Sequence, residues 1–236
     1  MIFSGARLVI RDLTERPGDG CAIYYSSGKF SSKGEKYFEL IRVLLARECA
    51  WTVSQAYEAY EKFLKDISVT LLLENQQLAA KNKVEKFESD KKSHNLGKTD
   101  ISFWRTYMDY HYNTNKEKLK FLRKICPDIS KGETQNNRAI NLTEWFDVVE
   151  ELRHSATHSN FIIKTGRMKN WSKAKREILK KYFSGNQIKQ GYQLDIKRKD
   201  ATFCLEVFSE YSFQVYKFLS ISRGYDWNIL QNKKEK

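Results

Sequence analysis

Trp51-Thr52-Val53-Ser54-Gln55-Ala56-Tyr57-Glu58-Ala59-Tyr60-Glu61-Lys62-Phe63-Leu64 lies inside a run that has no glycine or proline between Glu35 and Glu88. Tyr37, Leu40, Ile41, Leu44 and Leu45 precede it, and Trp51, Ala56, Tyr57, Tyr60, Phe63, Leu64 and Ile67 continue the series in three- and four-residue steps. That period belongs to a helix with one apolar face, since a half-buried strand would alternate every second residue. The run reads as one very long helix or, preferably, two. It turns charged from Ile67 to Lys92 and ends at an exposed loop around Ser93-His94-Asn95-Leu96-Gly97.

The same period recurs downstream. Residues 101–125 read as helix with Phe103, Trp104, Tyr107, Tyr110, Leu119, Phe121, Leu122 and Ile125 inward, stopped by Pro127. Residues 128–140 read as polar loop. Asn141-Leu142-Thr143-Glu144 has the form of a capping box and opens a helix through Trp145–Leu152. Cys204 to Ile221 carries Leu205, Phe208, Tyr211, Val215, Phe218 and Leu219 on one face. Two departures are β-prone. Ala6–Ile10 and Cys21–Tyr25 flank the turn chemistry of Arg16-Pro17-Gly18-Asp19-Gly20, which predicts an N-terminal hairpin or arm. Phe161–Ile163 and Tyr192–Ile196 pair as a short β insert around a basic helix at 172–183. The fold class is therefore all-α, with an arm over residues 1–32, a helical domain over 33–225 and a flexible tail over 226–236.

Composition narrows the function classes. With 236 residues and 41% hydrophobic content the chain builds a core without disulfides or metal. Its four cysteines form no C-x-x-C pair, which disfavours zinc ribbons and thioredoxin-type centres. No apolar run approaches the length of a membrane span and the start lacks a signal-peptide layout, so a soluble cytoplasmic protein is expected. The formal charge is +13, and it is concentrated. Residues 161–200 hold twelve basic side chains against three acidic ones, a local +9, whereas residues 132–160 carry −3. Such a field attracts a polyanion, because each neutralised phosphate releases condensed counterions. Lys164, Arg167, Lys169, Lys173, Lys175 and Arg176 are the candidate RNA contacts.

The candidate chemistry lies in Glu150-Glu151-Leu152-Arg153-His154-Ser155-Ala156-Thr157-His158, which holds two of the four histidines. His154 and His158, four apart, share a helical face and suit a metal, but Ser155 stands where a zinc protease has its glutamate and no third ligand is evident. A structural reading pairs Arg153 with Glu150 or Glu151 and sets the histidines at a helix end, where the dipole favours a cation. A third reading is a metal-free phosphodiester site. Histidine suits proton transfer near neutral pH, and the arginine fork matches two phosphate oxygens. Asp147 and Glu151, one turn apart, read as a solvated face, and the aromatics of 103–112 read as core.

The string Arg153-His154-Ser155-Ala156-Thr157-His158 resembles the R-x4-6-H motif of the HEPN superfamily, in which a polar residue typically follows the arginine. The stretch 51–64 is similar to the first-helix region of that family, and the likeness spans roughly residues 35–221. It implies an up-and-down helical bundle that forms a homodimer. It also implies a metal-independent ribonuclease without cofactors, with Arg153 and His158 as the catalytic pair and His154 at the supporting polar position. Many members of the family act in defence or toxin–antitoxin systems, often beside a nucleotidyltransferase partner. Others have lost catalysis and serve as RNA-binding or dimerisation modules. A protein-interaction bundle with no nucleic-acid role is the remaining alternative.

Overall fold

The computed structural model describes residues 21–25, 28–32, 34–90, 96–159 and 161–226, with side chains from residue 40 onward. Strands β1 (Cys21–Tyr25) and β2 (Gly28–Ser32) form an antiparallel hairpin with Tyr25 opposite Gly28. The partner of Cys21–Tyr25 is thus the segment after it; residues 6–10 and 16–20 lie outside the described residues.

Helix α1 (Gly34–Glu74) runs unbroken for 41 residues, about 60 Å at 1.5 Å per residue. Its hydroxyl residues do not interrupt it, because they bond back along the helix. Ser54 Oγ donates to the Ala50 carbonyl at 3.1 Å and Ser68 Oγ to that of Leu64 at 2.7 Å, so both sit buried without an orphaned donor. The division of the long run is therefore unequal. Asn75 leaves helical geometry, accepts from the Gln77 N–H at 3.1 Å, and opens a 3₁₀ turn at Gln76–Leu78. The short α2 (Lys81–Ser89) follows.

The single helix expected over 101–125 is two, α3 (Ile101–His111) and α4 (Asn115–Ile125). A reciprocal capping box separates them: Thr114 Oγ1 accepts from the Glu117 N–H and the Glu117 carboxylate accepts from the Thr114 N–H, each at 3.2 Å. The expected loop at 128–140 begins with a further helix, α5 (Asp128–Thr134), because Pro127 occupies a helix start, where its missing N–H costs nothing. Helix α6 (Leu142–His158) carries the motif. Asn141 caps it by accepting from the Glu144 N–H at 3.2 Å, and the Glu144 carboxylate accepts the Ser172 hydroxyl at 3.0 Å, tying the start of α6 to that of the helix Lys173–Tyr182.

After α6 come β3 (Ile162–Lys164), the one-turn α7 (Thr165–Met168), α8 (Lys173–Tyr182), β4 (Gly185–Ile188), β5 (Gly191–Leu194) and the long α9 (Arg198–Ser222). The insert is a three-stranded antiparallel sheet in the order β3-β5-β4. Ile162, Ile163 and Lys164 face Gln193, Tyr192 and Gly191, as the two-strand reading anticipates; β4 adds an edge with Ile188 opposite Gly191.

Helices α1, α6 and α9 meet around Tyr60, whose ring lies 5.3 Å from each of Phe146, Phe208 and Tyr211. Beneath α1, Phe87, Phe103, Trp104 and Tyr107 form a second aromatic cluster with edge-to-face contacts at 4.9–5.6 Å. Phe103, Trp104 and Tyr107 are fully buried, so these three pack the core and are closed to bases, while Tyr110 and Tyr112 are half-buried against it. Among the described residues no helix is long and apolar enough to cross a membrane.

Candidate functional site

The last two turns of α6 assemble the site. Ser155 is buried and its hydroxyl donates to the Leu152 carbonyl at 2.8 Å. The Ser155 carbonyl in turn accepts the N–H groups of Ser159 at 3.1 Å and Phe161 at 3.0 Å. Phe161 takes the left-handed region (φ 64°), which bends the chain out of the helix and into β3. The exit from the motif helix is thereby fixed against the small sheet: the Phe161 carbonyl accepts the Leu194 N–H at 2.8 Å.

His154 and His158 come together. One helical turn apart, their rings stand 5.0 Å centre to centre with planes tilted by 51°. Partial burial pulls the His154 pKa below its ordinary value, and the neighbouring Arg167 and His158 side chains lower it further. Arg153 takes another direction. Its guanidinium lies over the Tyr57 ring at 5.2 Å and one nitrogen reaches a Glu58 carboxylate oxygen at 3.5 Å. Its Nε is buried with no hydrogen-bond partner. Tyr57 is itself buried and stacked on Phe146 at 5.1 Å, so Arg153 rests on a rigid aromatic floor. Burial, with Glu150 adding to it, pushes the Tyr57 phenol up and keeps it neutral. Five residues along a helix separate side chains by about 140°. Within one chain, accordingly, Arg153 faces α1 while His158 faces the sheet.

His158 is exposed and opens on a depression of about 620 Å³. Ser159, Ile162, Lys164, Thr165, Gly166, Lys189 and Gln190 complete its lining, and none of these is acidic.

The six candidate RNA contacts divide sharply. Arg167 is held by Glu151 at 2.7 Å, Lys175 by Asp147 at 2.5 Å, and Lys173 lies 3.8 Å from Glu177. Arg176 donates to the Met168 and Lys169 carbonyls at 3.1 and 3.2 Å. Lys164 and Lys169 are exposed, with no carboxylate partner among the described residues. Asp147 and Glu151 thus serve separate cations instead of sharing one. Among the described residues no group of three or more His, Cys, Asp or Glu side chains is placed to hold a metal ion. Sequence reasoning missed Tyr57 and Glu58 as holders of Arg153, because the contact joins two helices remote in the chain. It also missed Lys189 as a neighbour of His158; the Gln190-Gly191 step after it was the available signal for a hairpin turn.

The His154 environment predicts a titration. By NMR its midpoint lies below about 6.5, and Arg167→Ala raises it, because the variant removes a cation and leaves the Glu151 carboxylate uncompensated. The sign for stability follows: the folded chain holds this proton less tightly than the unfolded chain, so His154 costs stability as pH falls through the unfolded value near 6.5.

No protein-family model, no curated protein and no solved structure matches this chain.

Proposed function

We propose that the protein is a metal-independent endoribonuclease of the HEPN type, an up-and-down helical bundle working as a homodimer. The observation that supports it most is His158. It stands exposed at the end of α6 beside His154, above a depression that two lysines line and no carboxylate does. In the reaction, His158 takes the proton of a ribose 2′-OH and the 2′-oxygen bonds to the adjacent phosphorus. The bond from phosphorus to the 5′-oxygen breaks, and that oxygen leaves with a proton from an imidazolium. The products are a 2′,3′-cyclic phosphate and a 5′-OH. Arg153 would offset the charge developing on the phosphoryl oxygens. Its contact with Glu58 is half-exposed and long, so a phosphate competes for the guanidinium at little cost. The divergence of Arg153 and His158 within one chain is a reason for a second copy to complete the site. On the resemblance alone, the setting is defence or toxin–antitoxin biology, with a nucleotidyltransferase-type partner.

A second reading is a non-catalytic RNA-binding or assembly module. The engagement of Arg153 by Glu58 and Tyr57 favours it, since a guanidinium held there is a structural strut.

Incubation of the purified protein with total RNA in EDTA, followed by end-group analysis, separates the two. The first reading expects fragments ending in cyclic phosphate and 5′-OH. Binding without cleavage selects the second, and cleavage only with added Mg²⁺ rejects metal independence.

A further inference from the structure

The depression at His158 does not end there. It shares Thr165 and Gly166 with a second one of about 370 Å³, lined also by Met168, Lys169, Arg176, Leu179, Lys180, Gln187 and Tyr192. Together the two surfaces present five cations, Lys164, Lys169, Arg176, Lys180 and Lys189, and no acidic side chain. The four lysines are exposed and, among the described residues, none has a carboxylate partner. Elsewhere in this basic segment Arg167, Lys173 and Lys175 are neutralised by glutamate or aspartate. Lys181, Lys197, Arg198 and Lys199 line neither hollow, so of the nine basic side chains of residues 161–200 without a carboxylate partner among the described residues, five share the one route that begins at a histidine.

We propose that this route is the track of a single-stranded RNA backbone, with Lys164 and Lys189 holding the phosphates next to His158 and Lys169, Arg176 and Lys180 those further along. The inference deepens the cleavage reading and rests on it for the identity of the polyanion. The layout suits a polymer. One small phosphate is gripped by donors converging on one point, whereas these cations sit on separate segments along two joined, open hollows. A lipid surface fits poorly. Ile162, Met168, Leu179 and Tyr192, the larger apolar side chains of the lining, are covered or half-covered, and none of the large exposed apolar side chains among the described residues lines either hollow.

The sheet fixes the geometry of the track. Lys189 and Gln190 are the two residues of the turn between β4 and β5, and the Gln190 carbonyl accepts the Thr165 N–H at 3.0 Å, binding the turn to α7. Gly191 has φ 154°, and a Cβ there would stand 2.0 Å from the Ile163 carbonyl oxygen. Only glycine lets this turn close onto β3, and that closure brings Lys189 alongside Lys164. Arg176 does similar work at the far end, where its two bonds to the carbonyls of residues 168 and 169 fix the segment that carries Lys169.

The test is binding of a 2′-O-methyl single strand of about 16 nucleotides in EDTA, since the methyl group removes the attacking hydroxyl and isolates affinity from cleavage. Five contacts at about −0.7 each predict a slope of log K against log salt of roughly −3.5 for wild type. Lys164→Ala/Lys189→Ala and Lys169→Ala/Lys180→Ala each reduce that magnitude by about 1.4 and weaken binding roughly tenfold at low salt. Lys81→Ala/Lys131→Ala makes the same change in net charge at two exposed lysines that already face carboxylates, and shifts affinity by less than about twofold. Gly191→Ala keeps every cation yet matches the Lys164/Lys189 variant, with helical content unchanged by circular dichroism.

Equal losses in the control and track variants, or no loss in any, would overturn the track. So would binding of anionic vesicles or acidic proteins in place of RNA. The two readings also fail separately. Wild-type protein that binds along the track and never cuts removes the cleavage and keeps the track. Wild-type cutting by both track variants removes the track and keeps the cleavage.

Discussion

Replacing His158 with alanine lowers RNA cleavage in chelator by roughly 10²- to 10⁴-fold, the usual contribution of a positioned general acid or base. Affinity for the 2′-O-methyl strand changes by less than about twofold, since the lysines carry it. Arg153→Ala falls comparably. If the two groups act on one transition state as proposed, the double variant is scarcely slower than the worse single one. His154→Gln is milder and of a different kind. Its ring packs against His158 at 5.0 Å without facing the depression, so the variant moves the pH profile more than the plateau rate. Glu58→Gln separates the two readings of Arg153: it frees the guanidinium, leaves cleavage intact or faster if Arg153 is catalytic, and loosens the contact between α1 and α6 if Arg153 is a strut. A double variant Arg153→Ala/His158→Ala that cuts RNA at the wild-type rate overturns the proposed chemistry.

The helical character was legible wherever the apolar period was long, as in α1 and α9. Its breaks were less so. The one at Thr114 carries a visible signature, Thr114 followed three residues later by Glu117, yet the aromatic period on both sides reads through it. Strand β4 has no apolar alternation, because it is held by the ladder to β5 and by Tyr192, whose ring a Cβ at Gly185 would meet at 2.5 Å. The pairing of His154 with His158 and the divergence of Arg153 both follow from helical angles alone. What the sequence could not supply was which cations are free. Arg167, Lys175 and Lys164 look alike in a charge count. Only the packing of α8 and β3 against α6 hands Asp147 and Glu151 to two of them and leaves the third open. The −3 segment and the +9 segment partly neutralise each other, and five of the cations left over line the two joined hollows.

The largest stability effect is expected far from this surface, at Glu133. Its carboxylate is almost fully buried between α5, α4, α6 and α9. It accepts from Arg123 through Nε at 2.9 Å and Nη2 at 2.8 Å, from the Tyr211 hydroxyl, and from Thr143 Oγ1 at 3.4 Å. Burial, and then the Glu133 charge, hold the Tyr211 phenol well above its ordinary pKa, so it remains a donor. Glu133→Ala strips the acceptor from a guanidinium and a buried hydroxyl at once. Breaking one side of such a pair costs about 3–5 kcal/mol, and at roughly 2–4 °C per kcal/mol for a chain of this size the midpoint of thermal unfolding falls by about 6–20 °C. The cost comes mainly from the partners left unsatisfied, and a second variant isolates that cause. Glu133→Leu/Arg123→Leu removes both charges and refills the space, and it recovers the part of the loss that comes from the stranded guanidinium, while the Tyr211 hydroxyl stays without its acceptor. Calorimetry on the two variants decides the matter. If the double variant is as unstable as Glu133→Ala, the loss comes from the missing pair and the unpaired Tyr211 hydroxyl and not from the stranded Arg123 charge. If neither is destabilised, the bundle does not depend on this centre, and the packing of α5 against α9 must be held by apolar contacts alone.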